Sequence, residues 1–220
     1  FAHHPFLTDQ DGKGFGKRLG SLSIENLKAD GYEDVSIINY LINIGSSEDI
    51  KPETVKDNII KNFDIKNIST SSAKFSLDVL KSLNADILKN YTFEQASKRI
   101  NFIDSDIDLE KLWIFSHNNI SYIKDIIVWS EVVTKIFDTS ETNIPEDFIE
   151  TAVENIPEEP FDYDSWDNWT KVIGEKSGLK GKNLFMPLRL ILTGKDKGPE
   201  LKNFLPLLNK QTLLRKFGKA

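Results

Sequence analysis

The sequence predicts a mainly α-helical protein. Apolar residues recur three and four positions apart in most segments, glycines stand where these patterns stop, and no segment alternates apolar and polar residues as a half-buried strand does. With 220 residues, of which 39% are hydrophobic, the chain can bury one sizeable core or two smaller ones. We therefore expect two helical modules.

The amino-terminal part of the chain contains several amphipathic patterns. Within each pattern the apolar side chains share one helical face, as the leucines of the last one illustrate. Gly31 and Gly45 mark the ends of the first two helices, because glycine readily leaves the helical conformation. Helices are predicted at 23–29, 32–44, 52–63 and 76–88.

The carboxyl-terminal part is predicted to be helical as well. Thr92 and Gln95 have the spacing of a capping box before a helix that carries Arg99. Residues 109–137 predict one or two long helices with Trp113 and Trp129 in the core. Trp166 and Trp169 could form a stacking platform for bases, but the many carboxylates around them favour a packing role.

Composition excludes several classes of function. The chain has no cysteine and only three histidines, so we expect no disulfide, no thiolate nucleophile and no metal site. It has neither an apolar run long enough to span a bilayer nor a secretory signal pattern, and we expect a cytoplasmic protein without membrane contact. Because the chain starts at Phe1 and not at a methionine, we expect a piece of a longer protein.

Charge is distributed unevenly along the chain. Residues 138–170 contain eleven acidic and no basic residues, a formal charge of −11. Residues 171–220 contain twelve basic and three acidic residues, a formal charge of +9. A basic carboxyl-terminal face would favour a phosphate backbone, whereas two solvated faces that partly neutralise each other are the alternative.

A glycine-rich basic stretch lies near the amino end, DGKGFGKRLGSLSI at 11–24. Its glycines let an anion approach main-chain amides, and Lys13, Lys17 and Arg18 supply positive charge beside them. The stretch is neither a Walker loop nor a dinucleotide fingerprint. Its chemistry suits phosphate binding, although a flexible charged turn would have a similar composition.

Two longer segments resemble bacterial glutamyl-tRNA synthetases. The run HHPFLTDQDGKGFGKRLGSLSIENLKADGYEDVSIINYLINIG is similar to the region where that family has a KMSKS-type loop, commonly KLSKR, followed by a helix. Residues 180–217, KGKNLFMPLRLILTGKDKGPELKNFLPLLNKQTLLRKF, are similar to the family's terminal segment. The intervening AKFSLDVLKSLNADIL resembles the family's stem-contact segment. The resemblance covers essentially the whole chain.

The resemblance implies a domain organisation and a role. Residues 1–20 would end the catalytic domain, residues 21–93 would form a helical stem-contact region, and residues 94–220 would form an α-helical-cage anticodon-binding domain. Nothing in the chain resembles the HIGH motif, so the amino-terminal nucleotide-binding domain is missing. The chain is therefore expected to bind tRNA as a monomer, without a cofactor and without catalysing the reaction alone. The full-length enzyme would use ATP and Mg²⁺ to attach glutamate to tRNA through glutamyl adenylate.

The family's KLSKR positions fall on residues 14–18, where Lys17 and Arg18 match and the first lysine and the serine do not. The resemblance implies that Gly16, Lys17 and Arg18 bind ATP and that Lys17 stabilises the departing pyrophosphate. Lys13 could replace the missing lysine from one position upstream. Gly16 lacks the serine hydroxyl but keeps the backbone amide.

For the anticodon the resemblance implies four contact residues: Arg189, Thr193, Pro199 and Leu201. Arg189 offers a planar fork for a base edge or face, Pro199 and Leu201 offer apolar surface, and Thr193 offers a hydroxyl. A helix terminus at Thr193 and a core position for Leu201 are the structural alternatives.

Two further functions remain open from the sequence. The parent could be a synthetase that charges glutamine tRNA with glutamate, or the chain could be a helical scaffold that binds protein and no RNA. Binding to purified tRNAs separates these readings.

Overall fold

The structure is a computed structural model and describes residues 5–14, 23–46, 49–103 and 106–219. The chain forms two compact units. One unit contains Phe1–Gln95 and Ile120–Lys124, and the other contains Ala96–Asn119 and Asp125–Ala220. The division at residue 95 lies two positions from the boundary expected at 93, whereas no sequence signal predicted that 120–124 returns to the first unit. The mainly α fold class is confirmed.

The helices of the first unit follow the apolar patterns closely. Ser23 caps the first helix by accepting a hydrogen bond from the backbone N–H of Asn26, and Gly31 ends it in the left-handed conformation at φ 103°. Ser76 caps the fourth helix in the same way. The helices are α1 (Ile24–Asp30), α2 (Asp34–Asn43), α3 (Lys56–Asn62) and α4 (Leu77–Lys89), and the strands are β1 (Leu7–Thr8) and β2 (Ala73–Lys74).

Two features of the first unit differ from the sequence prediction. Helix α3 begins at Lys56 and not at Pro52, because the Glu53 carboxylate accepts hydrogen bonds from the Val55 N–H at 2.9 Å and from Asn58 at 3.2 Å and stabilises a turn before the helix. Strands β1 and β2 pair in parallel. The sequence did not predict them, because two-residue strands are too short to show alternation.

A single apolar core holds the first unit together. Helices α2 and α4 contribute half of its twelve buried residues, and β2 adds Ala73. Tyr40 packs edge-on against Phe75 at 5.1 Å and accepts a hydrogen bond from the Ser76 N–H at 2.7 Å. Tyr122, from the returning segment, packs edge-on against Tyr32 at 5.1 Å. The core is therefore completed by a segment distant in sequence.

Asn84 joins three parts of the first unit. Its side chain is fully buried on α4. Its Oδ1 accepts from the Glu33 N–H, at the start of α2, at 2.8 Å. Its Nδ2 donates to the Ser121 carbonyl, in the returning segment, at 2.6 Å. One amide thus binds a buried backbone N–H and a part-buried carbonyl from two other segments.

The second unit begins within a short helix. Thr92 and Gln95 form the predicted capping box, with reciprocal hydrogen bonds of 2.9 and 3.3 Å, but this helix ends before Arg99. The predicted 109–137 region is two helices separated by short 3-10 turns. The helices are α5 (Phe93–Ser97), α6 (Leu109–Ser116), α7 (Ile126–Thr134), α8 (Glu146–Glu154), α9 (Tyr163–Ser177), α10 (Lys182–Thr193) and α11 (Lys210–Lys216).

Aromatic side chains dominate the core of the second unit. The ring centre of Phe115 lies 5.6 Å from that of Trp129 and 4.9 Å from that of Phe204. Trp169 packs against Phe217 at 6.0 Å, and its Nε1 donates to the Ala152 carbonyl at 2.9 Å. The predicted core positions of Trp113, Trp129, Trp166 and Trp169 are all buried.

Replacing Asn84 with alanine should destabilise the first unit by roughly 2–4 kcal/mol, because the fully buried Asn84 side chain loses its hydrogen bonds to the Glu33 N–H and the Ser121 carbonyl. Urea unfolding followed by circular dichroism measures the loss. Asn90→Ala is the matched control, since its side chain makes one exposed hydrogen bond to Asp86. Equal small losses for both variants would contradict the role assigned to Asn84.

Candidate nucleic-acid interface

Arg189 lies on α10, and the following loop, residues 194–200, folds back over it. The Arg189 Nη2 donates to the Pro199 carbonyl at 3.0 Å. Its Nη1 is buried and has no hydrogen-bond partner among the described residues. Burial also lowers the pKa of Arg189 from its ordinary value, because desolvation disfavours the charged form. The loop therefore holds a guanidinium group whose donors are only partly used.

The structure brings the four expected contact residues together around this loop but buries most of them. Thr193 is 1% exposed; its hydroxyl donates to the Arg189 carbonyl at 2.7 Å and accepts from the Lys195 N–H at 3.3 Å. Leu201 is 4% exposed, and Pro199 is also buried. In this conformation only Arg189 can present its side chain to a ligand, while Thr193 and Leu201 shape the helix end and the core.

Two glycines allow the 194–200 loop to lie directly on aromatic rings. Gly194 has a left-handed backbone at φ 64°, and a Cβ there would overlap the ring of Phe137. A Cβ on Gly198, at φ 148°, would lie 2.5 Å from Trp129. The Lys195 ammonium lies 5.7 Å from the centre of the same Trp129 ring. The loop's path is thus fixed by contacts that a side chain would block.

Lys216 is a buried ammonium beneath this loop. It is 3% exposed and donates to the carbonyls of Val132 at 2.8 Å, Lys135 at 2.7 Å and Leu192 at 3.1 Å. The rings of Phe137 and Phe204 lie 5.3 and 5.5 Å from it. These carbonyls belong to the ends of α7 and α10, where backbone oxygens lack helical partners and carry partial negative charge.

Lys216 is one of the twelve basic residues of the 171–220 segment, and its burial was not predicted from the sequence. The available signal was its spacing on α11, because it follows the buried Leu213 by three positions and shares its helical face. The exposure of the Phe185 side chain was also not predicted from the sequence. It is 42% exposed and stacks on Trp166 at 6.4 Å, beside a cleft of about 660 Å³ between α9 and α10 that Lys171 and Lys180 also line.

The acidic and basic segments partly neutralise each other. Ion pairs that join the two segments are Lys202 with Asp167, Lys210 with Glu158 and Lys219 with Glu146. Within residues 171–220, five exposed lysines form no ion pair with another described residue: Lys171, Lys176, Lys180, Lys182 and Lys197. Lys180, Lys182 and Lys197 stand near the two ends of α10. Unpaired positive charge is therefore available on both sides of the helix that carries Arg189.

The glycine-rich stretch near the amino end is described only as far as Gly14. The Asp9 N–H donates to the Lys13 carbonyl at 2.8 Å and the Lys13 N–H donates to the Asp9 carboxylate at 2.8 Å, which closes a tight turn around Gly12. The expected ATP-binding residues, Gly16, Lys17 and Arg18, lie outside the described residues.

The second unit has the features of a domain that handles unpaired RNA bases: a planar cation on a rigid helix, a loop seated on aromatic rings and lysines at both helix ends. Residues 109–220 match the family described as an anticodon binding domain. The chain belongs to this family, and the resemblance expected from the sequence is confirmed.

Proteins with curated names that are similar to this chain include glutamate–tRNA ligases. The chain is 39% identical over 214 residues to glutamate–tRNA ligase 2 of Gluconobacter oxydans, covering 96% of this chain and 46% of that protein. It is 36% identical over 211 residues to glutamate–tRNA ligase 2 of Brucella melitensis, covering 94% of this chain and 46% of that protein. The chain thus spans about half the length of these relatives.

A solved structure shares the fold. The crystal structure of glutamate–tRNA synthetase from Elizabethkingia anophelis aligns with a TM-score of 0.78 at 20% identity, covering 100% of this chain and 50% of that one. In the described part of the chain, no helix is long and apolar enough to cross a membrane.

Gly198→Ala should destabilise the second unit by about 1–3 kcal/mol, because the added methyl group would overlap Trp129 and the backbone would be strained. Thermal unfolding monitored by tryptophan fluorescence measures the effect. Gly178→Ala is the matched control: its backbone is also left-handed, at φ 70°, but its Cβ would meet nothing within 4 Å. The same loss in both variants would show that overlap with Trp129 contributes nothing.

The stability of the chain should rise with pH through the Lys216 ammonium. Burial lowers its pKa to about 8 from the ordinary value of 10.5. Below pH 8 Lys216 is protonated in both the folded and the unfolded state, and the cost of burying the charge is fully present. Between pH 8 and pH 10.5 the unfolded state binds more protons at this site than the folded state does, so the free energy of unfolding increases.

We expect the unfolding free energy of the unmodified chain, relative to Lys216→Met, to increase by about 2 kcal/mol between pH 7 and pH 10. Charged groups beside this site include Lys135, whose ammonium lies 5.7 Å from the Phe137 ring, and Asp138, which lines the adjoining cleft. Both groups are present in Lys216→Met as well, so the difference in unfolding free energy between the two proteins removes their contribution. A difference that stays flat with pH would mean that the carbonyls and rings fully offset desolvation.

Proposed function

We propose that this chain is the tRNA-binding part of a glutamate–tRNA ligase. Residues 21–93 contact the acceptor and D stems, and residues 94–220 read the anticodon. Residues 1–20 end the catalytic domain and carry the KMSKS-like loop with Gly16, Lys17 and Arg18. The family match over residues 109–220 supports the anticodon role.

The observation that carries the proposal is the arrangement of Arg189. One arm of its guanidinium is fixed by the Pro199 carbonyl at 3.0 Å, and the other arm holds a buried donor without a partner among the residues that the structure describes. Other parts of the Arg189 side chain are accessible, and a small movement of the buried arm would bring this donor to a base edge or a phosphate, whose oxygen or nitrogen atoms accept hydrogen bonds. Because Pro199 holds the fork in place, little side-chain entropy is lost when such a ligand binds.

The lysines near the ends of α10 would bind the phosphate backbone on either side. Lys180 precedes the helix and Lys182 is its first residue, whereas Lys195 and Lys197 follow it. A twelve-residue helix is about 18 Å long. This separation suits an extended strand of a few nucleotides whose bases face Arg189.

The parent enzyme would attach glutamate to tRNA in two steps. ATP and Mg²⁺ activate glutamate to glutamyl adenylate, and the glutamyl group is then transferred to the terminal ribose of tRNA. Lys17 would stabilise the departing pyrophosphate in the first step. We propose that this parent is a cytoplasmic monomer, and that its tRNA is specific either for glutamate or for glutamine.

Arg189→Ala should weaken binding to the cognate tRNA by about 1–3 kcal/mol, because the planar fork contacts a base. Fluorescence anisotropy with tRNA for glutamate, tRNA for glutamine and an unrelated tRNA, at several salt concentrations, measures affinity and selectivity. Arg189→Lys keeps the charge without the fork and should lose nearly as much selectivity. Circular dichroism checks that each variant is folded.

Arg215→Ala is the control, since Arg215 is exposed on α11 and its removal costs the same charge. It should change the affinity by no more than about twofold and leave selectivity intact. Equal losses for the Arg189 and Arg215 variants would contradict base reading by Arg189. Binding that is weak, insensitive to salt and equal for all RNAs would favour the protein-binding scaffold instead.

A further inference from the structure

The buried ammonium of Lys216 contacts the same structural elements as the 194–200 loop of the protein. The Lys216 ammonium donates to the Leu192 carbonyl at 3.1 Å. Leu192 stands two residues before Gly194, where the loop starts. The Phe137 ring lies 5.3 Å from the ammonium and also touches Gly194. Lys216 therefore reaches the start of the loop both directly, through a hydrogen bond, and indirectly, through a shared ring.

The same ammonium fixes the end of α7 against the end of α10. The carbonyls of Val132 and Lys135 accept from it at 2.8 and 2.7 Å. Trp129, on α7, is the ring against which Gly198 and Lys195 pack. A change in the position of α7 relative to α10 would therefore move the surface on which the loop lies.

A charge at this position is costly for stability alone. Lys216 forms no ion pair with a carboxylate in the described ranges, and it lies among apolar and aromatic groups. Replacing buried charged groups with well-packed apolar residues is often neutral or stabilising, so stability alone does not account for an ammonium at this position. Three donors that point at three carbonyls on two helix ends supply such a geometry.

We infer that Lys216 is a positioning residue for tRNA binding: it holds the 194–200 loop in the conformation in which Pro199 fixes Arg189. The inference rests on the proposed function. Lys216 touches no ligand itself. It acts through the carbonyls of two helix ends and through Phe137, and its loss would let the loop sample conformations that do not bind.

The first test compares Lys216→Met with Lys219→Met in the 220-residue chain. Both variants lose one positive charge from the same end of the chain, but Lys219 forms only an exposed ion pair with Glu146 at 2.9 Å. Hydrogen exchange measured by mass spectrometry reports on the 194–200 loop without any RNA. We expect faster exchange in that loop for Lys216→Met, with the α9 core unchanged, and no change for Lys219→Met.

The affinity for the preferred tRNA should fall about tenfold in Lys216→Met, since binding is reduced in proportion to the fraction of molecules whose loop is competent. Lys219→Met should stay within about twofold of the unmodified chain, as expected for one exposed charge. Faster exchange throughout the second unit of Lys216→Met would show a general loss of stability, and it would overturn the positioning role.

A chemical rescue separates positioning from packing. The natural chain has no cysteine, so Lys216→Cys introduces a single thiol. Alkylating the unfolded variant with bromoethylamine joins the sulfur to an aminoethyl group, releases bromide and restores an ammonium at the distance of a lysine. Iodoacetamide treatment gives a neutral control of similar size. After refolding, the aminoethyl product should recover slow loop exchange and tRNA affinity, and the amide product should recover neither.

The outcomes distinguish this inference from the proposed function. Selective tRNA binding by the unmodified chain, with equal binding by Lys216→Met or by the amide product, would overturn the inference alone. No selective tRNA binding by the unmodified chain would overturn the proposed function and the inference together.

Discussion

The second unit depends on an ammonium placed where two helices end. Helix carboxyl termini leave carbonyl oxygens unsatisfied, and in this unit α7 and α10 end close to each other inside the protein. Lys216 supplies the donors for both ends at once. Without it, water would have to enter the core or the helices would have to separate. The aromatic rings around the ammonium exclude water and still tolerate its charge.

Ion pairs between the acidic and basic segments determine which positive charges remain available. The pairs of Lys202, Lys210 and Lys219 neutralise three basic residues of the 171–220 segment. Lys180, Lys182 and Lys197, near the ends of α10, form no ion pair with a described residue, so a net acidic protein can still present a local positive field there. Exposed pairs of this kind add little stability. Their effect is to restrict where a polyanion can settle.

Sequence patterns predicted the helix bounds well where the apolar period was strong, as in α4. They did not predict a helix start that is set by local side-chain hydrogen bonds. Pro52 and Glu53 look like a helix start, but the Glu53 carboxylate stabilises a turn before the helix. Arg189 was proposed as a binding candidate and a helix terminus was considered at Thr193, where α10 ends, whereas the burial of Lys216 was not predicted. Hydrogen bonds to distant backbone carbonyls leave no periodic signal, so their positions required the folded chain.

The polypeptide passes from one unit to the other three times, at residues 95, 119 and 124. The short returning segment supplies the Ser121 carbonyl to Asn84 and the Tyr122 ring to the core of the first unit. A fragment that stopped at residue 95 would leave the first unit without part of its own interior, so this unit is complete only in a chain that continues through residue 124.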